Sequence, residues 1–230
     1  MNVPRAAAVL LAAGSGSRVG ADVNKVLLPV HGIPILARSV QTVLEVVGVH
    51  RIVLVVRPED RAAVSEAVGP HLGAYDLWVV DGGAHRHDSE WQALRTLAAE
   101  IEDGEIEVVA IHDAARPLAP ASLWREVIDA AAEHGGAIPV VPTARLSQRD
   151  GRVATAGLVR VQTPQAFAAR DLLGAYRQAD RDRFVGTDTA ACLERYADIV
   201  VTGVPSTAAN LKVTFADDIA LAEALLTRSS

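Results

Sequence analysis

The chain has 230 residues, half of them hydrophobic, enough to bury the core of one large α/β domain or of two small ones. Its net charge of −6 argues against general binding to nucleic acid or to an anionic membrane, so any site for anions has to be built locally. No apolar run reaches the ~20 residues of a membrane helix, and the single cysteine, Cys192, excludes an intrachain disulfide and a cysteine metal cluster. Met1-Asn2-Val3-Pro4-Arg5 leads straight into an apolar segment without the tripartite pattern of a signal peptide, which makes the cytoplasm the expected compartment.

The first strand spans the apolar run around Val9 to Leu11 and empties through Ala12 and Ala13 into Gly14-Ser15-Gly16-Ser17, followed by two cations, Arg18 and Lys25. Glycines in such a turn let bare backbone N–H groups approach a phosphate, and the cations add positive charge beside them. Two familiar phosphate loops are excluded by spacing. A Gly-x-Gly-x-x-Gly fingerprint needs glycine where Val19 stands, and a P-loop needs Gly-Lys-Ser/Thr where the chain has Val19-Gly20-Ala21. A plain structural turn is the alternative, but the place of the loop after an apolar first strand is the usual ligand-binding end of an open α/β sheet.

Strand and helix patterns then alternate. Leu36, Val40, Val43 and Val47 give Pro34 to Val47 helical spacing, and Arg51 to Val56 is a β-branched strand. A helix over Pro58 to Val68 is followed by a short strand, Leu77 to Val80, that runs into Asp81-Gly82-Gly83. Asp88-Ser89 opens the next helix, with the N-cap expected there and Trp91, Leu94, Leu97 and Ile101 on one side. Val108 to Ile111 reads as a buried strand ending in His112-Asp113; Leu123 to Ala132 is helical and stops at Gly135-Gly136 before the strand Ala137 to Val141. This alternation predicts an α/β fold: a Rossmann-like, mostly parallel sheet flanked by helices.

From Pro142 to Thr163 the rhythm changes. Ala144 to Ser147 and Arg152 to Thr155 flank Gln148-Arg149-Asp150-Gly151, whose Asp-Gly pair signals a hairpin. A hairpin inserted here projects from the sheet and needs cover, so the chain is expected to form a single domain with a β-arm at about 142–163 and to dimerise through it. Helices return at Ala169 to Gln178 and Thr187 to Tyr196, then a strand near Ile199 to Val204 and a last helix from Asp217 to Leu226. Cys192 lies among Ala190, Ala191 and Leu193 and is expected as buried packing. His85 and His87 lack a third ligand nearby and are expected on an exposed loop; His112 is expected to be structural, pointing away from its neighbour Asp113.

Four segments fall at strand ends: Ala12 to Lys25, Gly82-Gly83-x-x-Arg86-x-x-Ser89, Ile111-His112-Asp113-Ala114-Ala115-Arg116-Pro117, and the strand-like Asn210-Leu211-Lys212-Val213-Thr214. With Thr163-Pro164-Gln165 they resemble, in order and over nearly the whole chain, the 2-C-methyl-D-erythritol 4-phosphate cytidylyltransferases, and less closely the ribitol 5-phosphate cytidylyltransferases. The resemblance implies transfer of CMP from CTP to a polyol phosphate with Mg²⁺ as cofactor. It also implies roles for particular residues. Ala12, Ala13, Gly14, Ser15, Gly16, Gly82, Gly83 and Ser89 would bind the nucleotide, with glycine backbone reading the base and Ser89 adding a hydroxyl. Arg18 and Lys25 would clamp the triphosphate, and Lys212 would position the acceptor's phosphate. Asp113 would ligate the metal and, with Arg116, Thr143, Thr155 and Thr163, border the acceptor; Arg116 and Arg86 are each open to a buttressing role as well. Attack by one phosphate on another brings anions together, and fixed cations relieve that repulsion.

Two departures fall on the acceptor side. The family's Asp-Thr pair on entry to the arm reads Pro142-Thr143, and the arginine expected before Gly157-Leu158 reads Thr155. Arg145, Arg152 or Arg160 would have to supply the missing cation, or the acceptor is another polyol or sugar phosphate. A nucleotide-binding paralogue without turnover is a third alternative, against which stands the retention of both Arg18 and Lys25.

Overall fold

In a computed structural model of the chain, residues 3–14, 24–143, 158–186 and 188–229 are described. Ser15, Gly16, Arg18 and Thr155, together with the expected hairpin turn and Arg145 and Arg152, lie outside them. The elements run β1 Ala6–Leu11, β2 Pro29–Val30, β3 Ile33–Pro34, α1 Ile35–Leu44, β4 Val49–Val56, α2 Arg61–Val68, β5 Trp78–Asp81, α3 Arg86–Glu102, β6 Val108–Asp113 and α4 Ala121–His134. They continue as β7 Gly135–Pro142, β8 Val159–Val161, β9 Gln165–Ala168, α5 Ala169–Asp182, α6 Thr189–Tyr196, β10 Val200–Pro205 and α7 Asp217–Ser229.

The main sheet has the order β10-β7-β9-β6-β1-β4-β5, with β8 alongside β7. Pairs β1·β4, β1·β6, β4·β5 and β7·β10 are parallel, as the alternation predicts, while β9 runs antiparallel to both β6 and β7. Side chains along β1 alternate between two cores. Ala6, Ala8 and Leu10 face one with α1, α2, α4 and α7, and Ala7 and Val9 face the other with α3, α5 and α6. The register aligns the carboxyl ends of the parallel strands: Leu11 pairs with Asp113 and with Val55, and Val56 with Asp81. The carboxyl ends of β1, β5 and β6 therefore share one edge.

One strand was not expected and three expectations need correction. Gln165–Ala168 is a central strand of four residues, too short for the sequence to show a period. Lys212 lies in an extended segment outside any strand. It is held beside the end of β6, where the Val213 N–H donates to the Ala115 carbonyl at 2.8 Å. The third helix begins at Arg86, three residues after Gly83, with His85 as its N-cap. Asp88 serves it from the first turn, accepting from the His85 N–H at 2.9 Å. That places His87 inside the helix, buried and stacked on Tyr176 with ring centroids 4.6 Å apart, rather than on an exposed loop. His85 is exposed as expected.

Among the described residues no helix is long and apolar enough to cross a membrane. Cys192 is fully buried, and burial pushes its thiol up to about 12, so it is packing.

Candidate active site

A cavity of about 660 Å³ opens at the aligned strand ends. Ala12, Ala13 and Gly14 line it from the end of β1, Gly82, Gly83, Arg86 and Ser89 from the β5–α3 turn, Asp113 from β6, and Lys25 and Lys212 from the flanking segments. Residues from four of the stretches singled out in the sequence, up to 200 positions apart (Ala12 to Lys212), thus meet on one cavity. Arg116, Thr143 and Thr163 are not on its wall.

The β5–α3 turn is made by close packing. A Cβ on Gly82 would collide with the Cβ of Ala13, and one on Gly83 with the side chain of Asp88. Gly82 is also tied to the sheet, its N–H donating to the Val56 carbonyl at 2.8 Å. Ser89, 5% exposed, closes the turn from below: its hydroxyl accepts from the Gly83 N–H at 3.2 Å and donates to the His85 carbonyl at 3.1 Å. The hydroxyl expected at a base edge is engaged in shaping the glycine turn.

Lys25 begins a single 3₁₀ turn, Lys25–Leu27, and is itself 8% exposed. Asn24 fixes that turn. Its Oδ1 accepts from the Val26 N–H at 3.3 Å, and its Nδ2 donates to the Ala12 carbonyl at 2.9 Å and to Asp60 Oδ2 at 2.8 Å. Asp60 in turn holds the Arg57 guanidinium through two hydrogen bonds, 2.7 and 2.9 Å. These three residues were missed; asparagine before a short apolar run is a capping signal that points to Asn24 alone.

The opposite wall is built from charge. Asp113 Oδ1 accepts from Arg86, and Oδ2 accepts from Lys212 Nζ at 2.8 Å; Arg116 Nε stands 3.8 Å from Oδ2. Burial alone would raise the Asp113 carboxyl, but Arg86 and Lys212 outweigh it and hold the group far below the usual carboxylate range. Arg116 donates to the Asn210 carbonyl at 2.8 Å, which ties the Lys212 segment to the β6 loop and makes Arg116 a buttress. Asn210 adds donations to Gln162 Oε1 at 3.1 Å and to the Thr163 carbonyl at 3.0 Å.

Behind Arg86 lies Glu90, fully buried, with its Oε1 2.7 Å from Arg86 Nε. Tyr176 donates to its other oxygen, and Thr189 donates to Oε1 at 2.9 Å. Burial pushes the Glu90 carboxyl above the ordinary glutamate value, against the opposing pull of these partners. Neither Glu90 nor its partners on α5 and α6 carried a sequence signal, because contacts across 86 and 99 positions leave no spacing to read.

Thr163 is 4% exposed and supports the wall from behind. Its Oγ1 accepts from the Asp113 N–H at 3.0 Å and lies 3.1 Å from His112 Nδ1, while His112 Nε2 meets the Arg116 carbonyl at 3.1 Å. His112 is structural, as expected: complete burial drops it to about 4, so it is neutral. Thr143 sits past the end of β7, where its N–H donates to the Leu158 carbonyl at 3.3 Å. Arg160, the one arginine of the three arm candidates among the described residues, is exposed on β8 opposite Val141 and away from the cavity wall.

The wall does not suit a resident Mg²⁺ on Asp113. Both carboxylate oxygens already accept from cations. What the cavity wall offers is an anion site: Lys25, Arg57, Arg86 and Lys212 against Glu59 and Asp113, in a chain whose overall charge is −6.

An open, mostly parallel sheet whose carboxyl edge carries a packed glycine turn and a cationic wall defines a nucleotidyltransferase, and comparison with known proteins agrees. The family profile described as IspD, 2-C-methyl-D-erythritol 4-phosphate cytidylyltransferase, matches residues 6–228. A 2-C-methyl-D-erythritol 4-phosphate cytidylyltransferase of Shouchella clausii is 35% identical over 226 residues, covering 96% of both chains. One from Symbiobacterium thermophilum is 39% identical over 225 residues, covering 95% of this chain and 91% of that one. Among solved structures, a 4-diphosphocytidyl-2C-methyl-D-erythritol synthase from Anaerococcus prevotii superposes with a TM-score of 0.79 at 28% identity, over 98% of this chain and 97% of that one. The chain belongs to the 2-C-methyl-D-erythritol 4-phosphate cytidylyltransferase family.

Proposed function

We propose that this chain transfers the cytidylyl group of CTP to 2-C-methyl-D-erythritol 4-phosphate, with release of pyrophosphate, as a step of isoprenoid biosynthesis. The observation that carries the reading is that Lys25 and Lys212 line the same cavity as Gly82 and Gly83. An oxygen of the acceptor's phosphate attacks the α-phosphorus of CTP; the new P–O bond forms as the bond to the bridging oxygen breaks and that oxygen leaves with pyrophosphate. Lys25, with Arg18, neutralises the triphosphate and the charge that builds on the leaving group. The glycine turn takes the flat base, since nothing projects from its backbone. Lys212, fixed by Asp113, meets the acceptor's phosphate and holds the attacking oxygen in line. Mg²⁺, implied by the resemblance, would bind through phosphate oxygens of the substrates rather than at Asp113 and would supply further charge neutralisation there.

The test is pyrophosphate release by the purified chain with CTP, Mg²⁺ and a panel of polyol phosphates, repeated with ATP, GTP and UTP. Release with CTP and 2-C-methyl-D-erythritol 4-phosphate is expected. Release only with another polyol phosphate such as ribitol 5-phosphate overturns the acceptor, a second reading favoured by Pro142 and Thr155 standing where the family has Asp and Arg. CTP binding with no release from any acceptor overturns turnover itself.

The same reading includes a cytoplasmic homodimer joined through the arm. Leu158, Val159 and Val161, 46–50% exposed at the base of the arm, are the apolar surface that supports it. Sedimentation of the purified chain at micromolar concentration tests it, and a monomer refutes it.

A further inference from the structure

Against a lone carboxylate, an arginine fork takes both oxygens. Arg86 does not. Its Nε lies 2.7 Å from Glu90 Oε1, so it meets Asp113 through one nitrogen and Oδ1, and Oδ2 is left to Lys212 Nζ at 2.8 Å. We propose that Glu90 is a positioning residue: by drawing the Arg86 guanidinium toward itself, it divides the two oxygens of Asp113 between Arg86 and Lys212 and so keeps Lys212 at the cavity.

The surroundings of Glu90 fit a fixed negative charge rather than a packing filler. Three groups meet it: the Arg86 guanidinium as an ion pair from its own helix, and two hydroxyl donors, Tyr176 from α5 and Thr189 from α6. The side chain is fully buried, so the charge acts at low dielectric, and its direct route to the cavity is through Arg86. With the charge removed, the pull on the fork drops to that of a neutral acceptor, and Arg86 closes on both oxygens of Asp113 in competition with Lys212.

Two measurements on Glu90→Gln test this, one of them independent of turnover. The substitution is isosteric and retains hydrogen-bonding groups for Tyr176 and Thr189. A crystal structure of E90Q is expected to show Arg86 on both oxygens of Asp113 and Lys212 Nζ beyond hydrogen-bond reach. Arg86 remaining on Oδ1 alone overturns the proposal. The kinetic consequence rests on the assignment of Lys212 to the acceptor's phosphate under the proposed function: the KM for the acceptor rises roughly tenfold, the loss of about one charged hydrogen bond, while the KM for CTP is unchanged. Tyr176→Phe, which keeps the charge and removes a neutral partner, is expected to leave both KM values within about twofold. An equal rise of the acceptor KM in Tyr176→Phe assigns Glu90 to packing and refutes the proposal. In an Arg86→Lys background, where no fork exists, E90Q should add nothing; a full additive effect there also refutes it. Should E90Q not fold, Glu90→Asp keeps the charge and withdraws it by one methylene, and it must raise the acceptor KM in the same selective way or the proposal falls. If the unsubstituted chain releases no pyrophosphate with any acceptor, the functional reading fails while the position of Arg86 in E90Q still decides the role of Glu90.

Discussion

The two walls of the cavity are held by different physics. On the glycine side, position comes from contact: Gly82 against Ala13, Gly83 against Asp88, and Ser89 bonded to the turn it closes. On the Asp113 side, position comes from charge, with a buried carboxylate shared between Arg86 and Lys212 and backed by Arg116. A packed wall tolerates changes of charge and rejects changes of volume; an ion-paired wall does the reverse. In the proposed reaction this division is apt, since a flat uncharged base meets the packed wall and a phosphate meets the charged one.

Substitutions can break each wall on its own terms. The largest effect is expected from Lys25→Ala, which removes a cation aimed at the reacting phosphates and lowers kcat/KM for pyrophosphate release on the order of 10²–10³-fold with the fold intact. Thermal melting alongside the kinetics separates this from unfolding. Asp113→Asn strips the charged wall of its anion and leaves Arg86 and Lys212, with Arg116 behind them, without the charge they share; a stability loss of about 3 kcal/mol in urea unfolding is expected. A loss below roughly 0.5 kcal/mol, the size of a surface change, would mean that charge does not organise this wall.

Acid should loosen the same wall. His112 is buried and neutral, with its folded value at about 4 against the ordinary 6.5, so the unfolded chain takes up its proton first. Stability from this group is complete above pH 6.5, falls as pH drops from 6.5 toward 4, and levels off below, by roughly 3 kcal/mol at most. His112→Gln should flatten that part of the pH profile, as measured by urea midpoints across the range. Gly83→Ala tests the packed wall: a Cβ there overlaps the Cβ of Asp88, so the turn has to shift at a cost of about 1–3 kcal/mol, and CTP affinity in calorimetry is expected to fall at least tenfold with acceptor affinity unchanged.

The packed wall was more legible in the sequence than the charged one. Gly14, Gly82-Gly83 and the strands before them could be found because a strand end followed by glycine is a local pattern, and the register then brings Leu11, Val56 and Asp113 to one edge. The charged wall depends on pairs distant in sequence. Lys212 and Asp113 are 99 positions apart, as are Glu90 and Thr189, and no periodicity links them. Family resemblance supplied Asp113 and Lys212 but cast Asp113 as a metal ligand, where the fold surrounds it with cations. Helix α3 was found but misplaced at its start, because Asp88 looks like an N-cap and acts instead from the first turn on His85. His87 was misjudged for the same reason, since two residues of helix start separate a loop histidine from one stacked on Tyr176.

Strand β9 sets a condition on the order in which the chain can fold. β6 and β7 follow one another in sequence with only α4 between them, yet they are not neighbours; the gap is filled by β9, which pairs with Val108–Ile111 on one side and with Gly136 and Ala137 on the other. During synthesis, a chain that has emerged only as far as the arm carries β1, β4, β5 and β6 as one patch and β7 as an unjoined strand. Closure waits for residues 165–168, and β10 can complete the far edge only afterwards. The stretch of chain between β7 and β9 must therefore be spanned, at a cost in chain entropy, before the two halves cohere, which ties the rate of folding to the late arrival of β9.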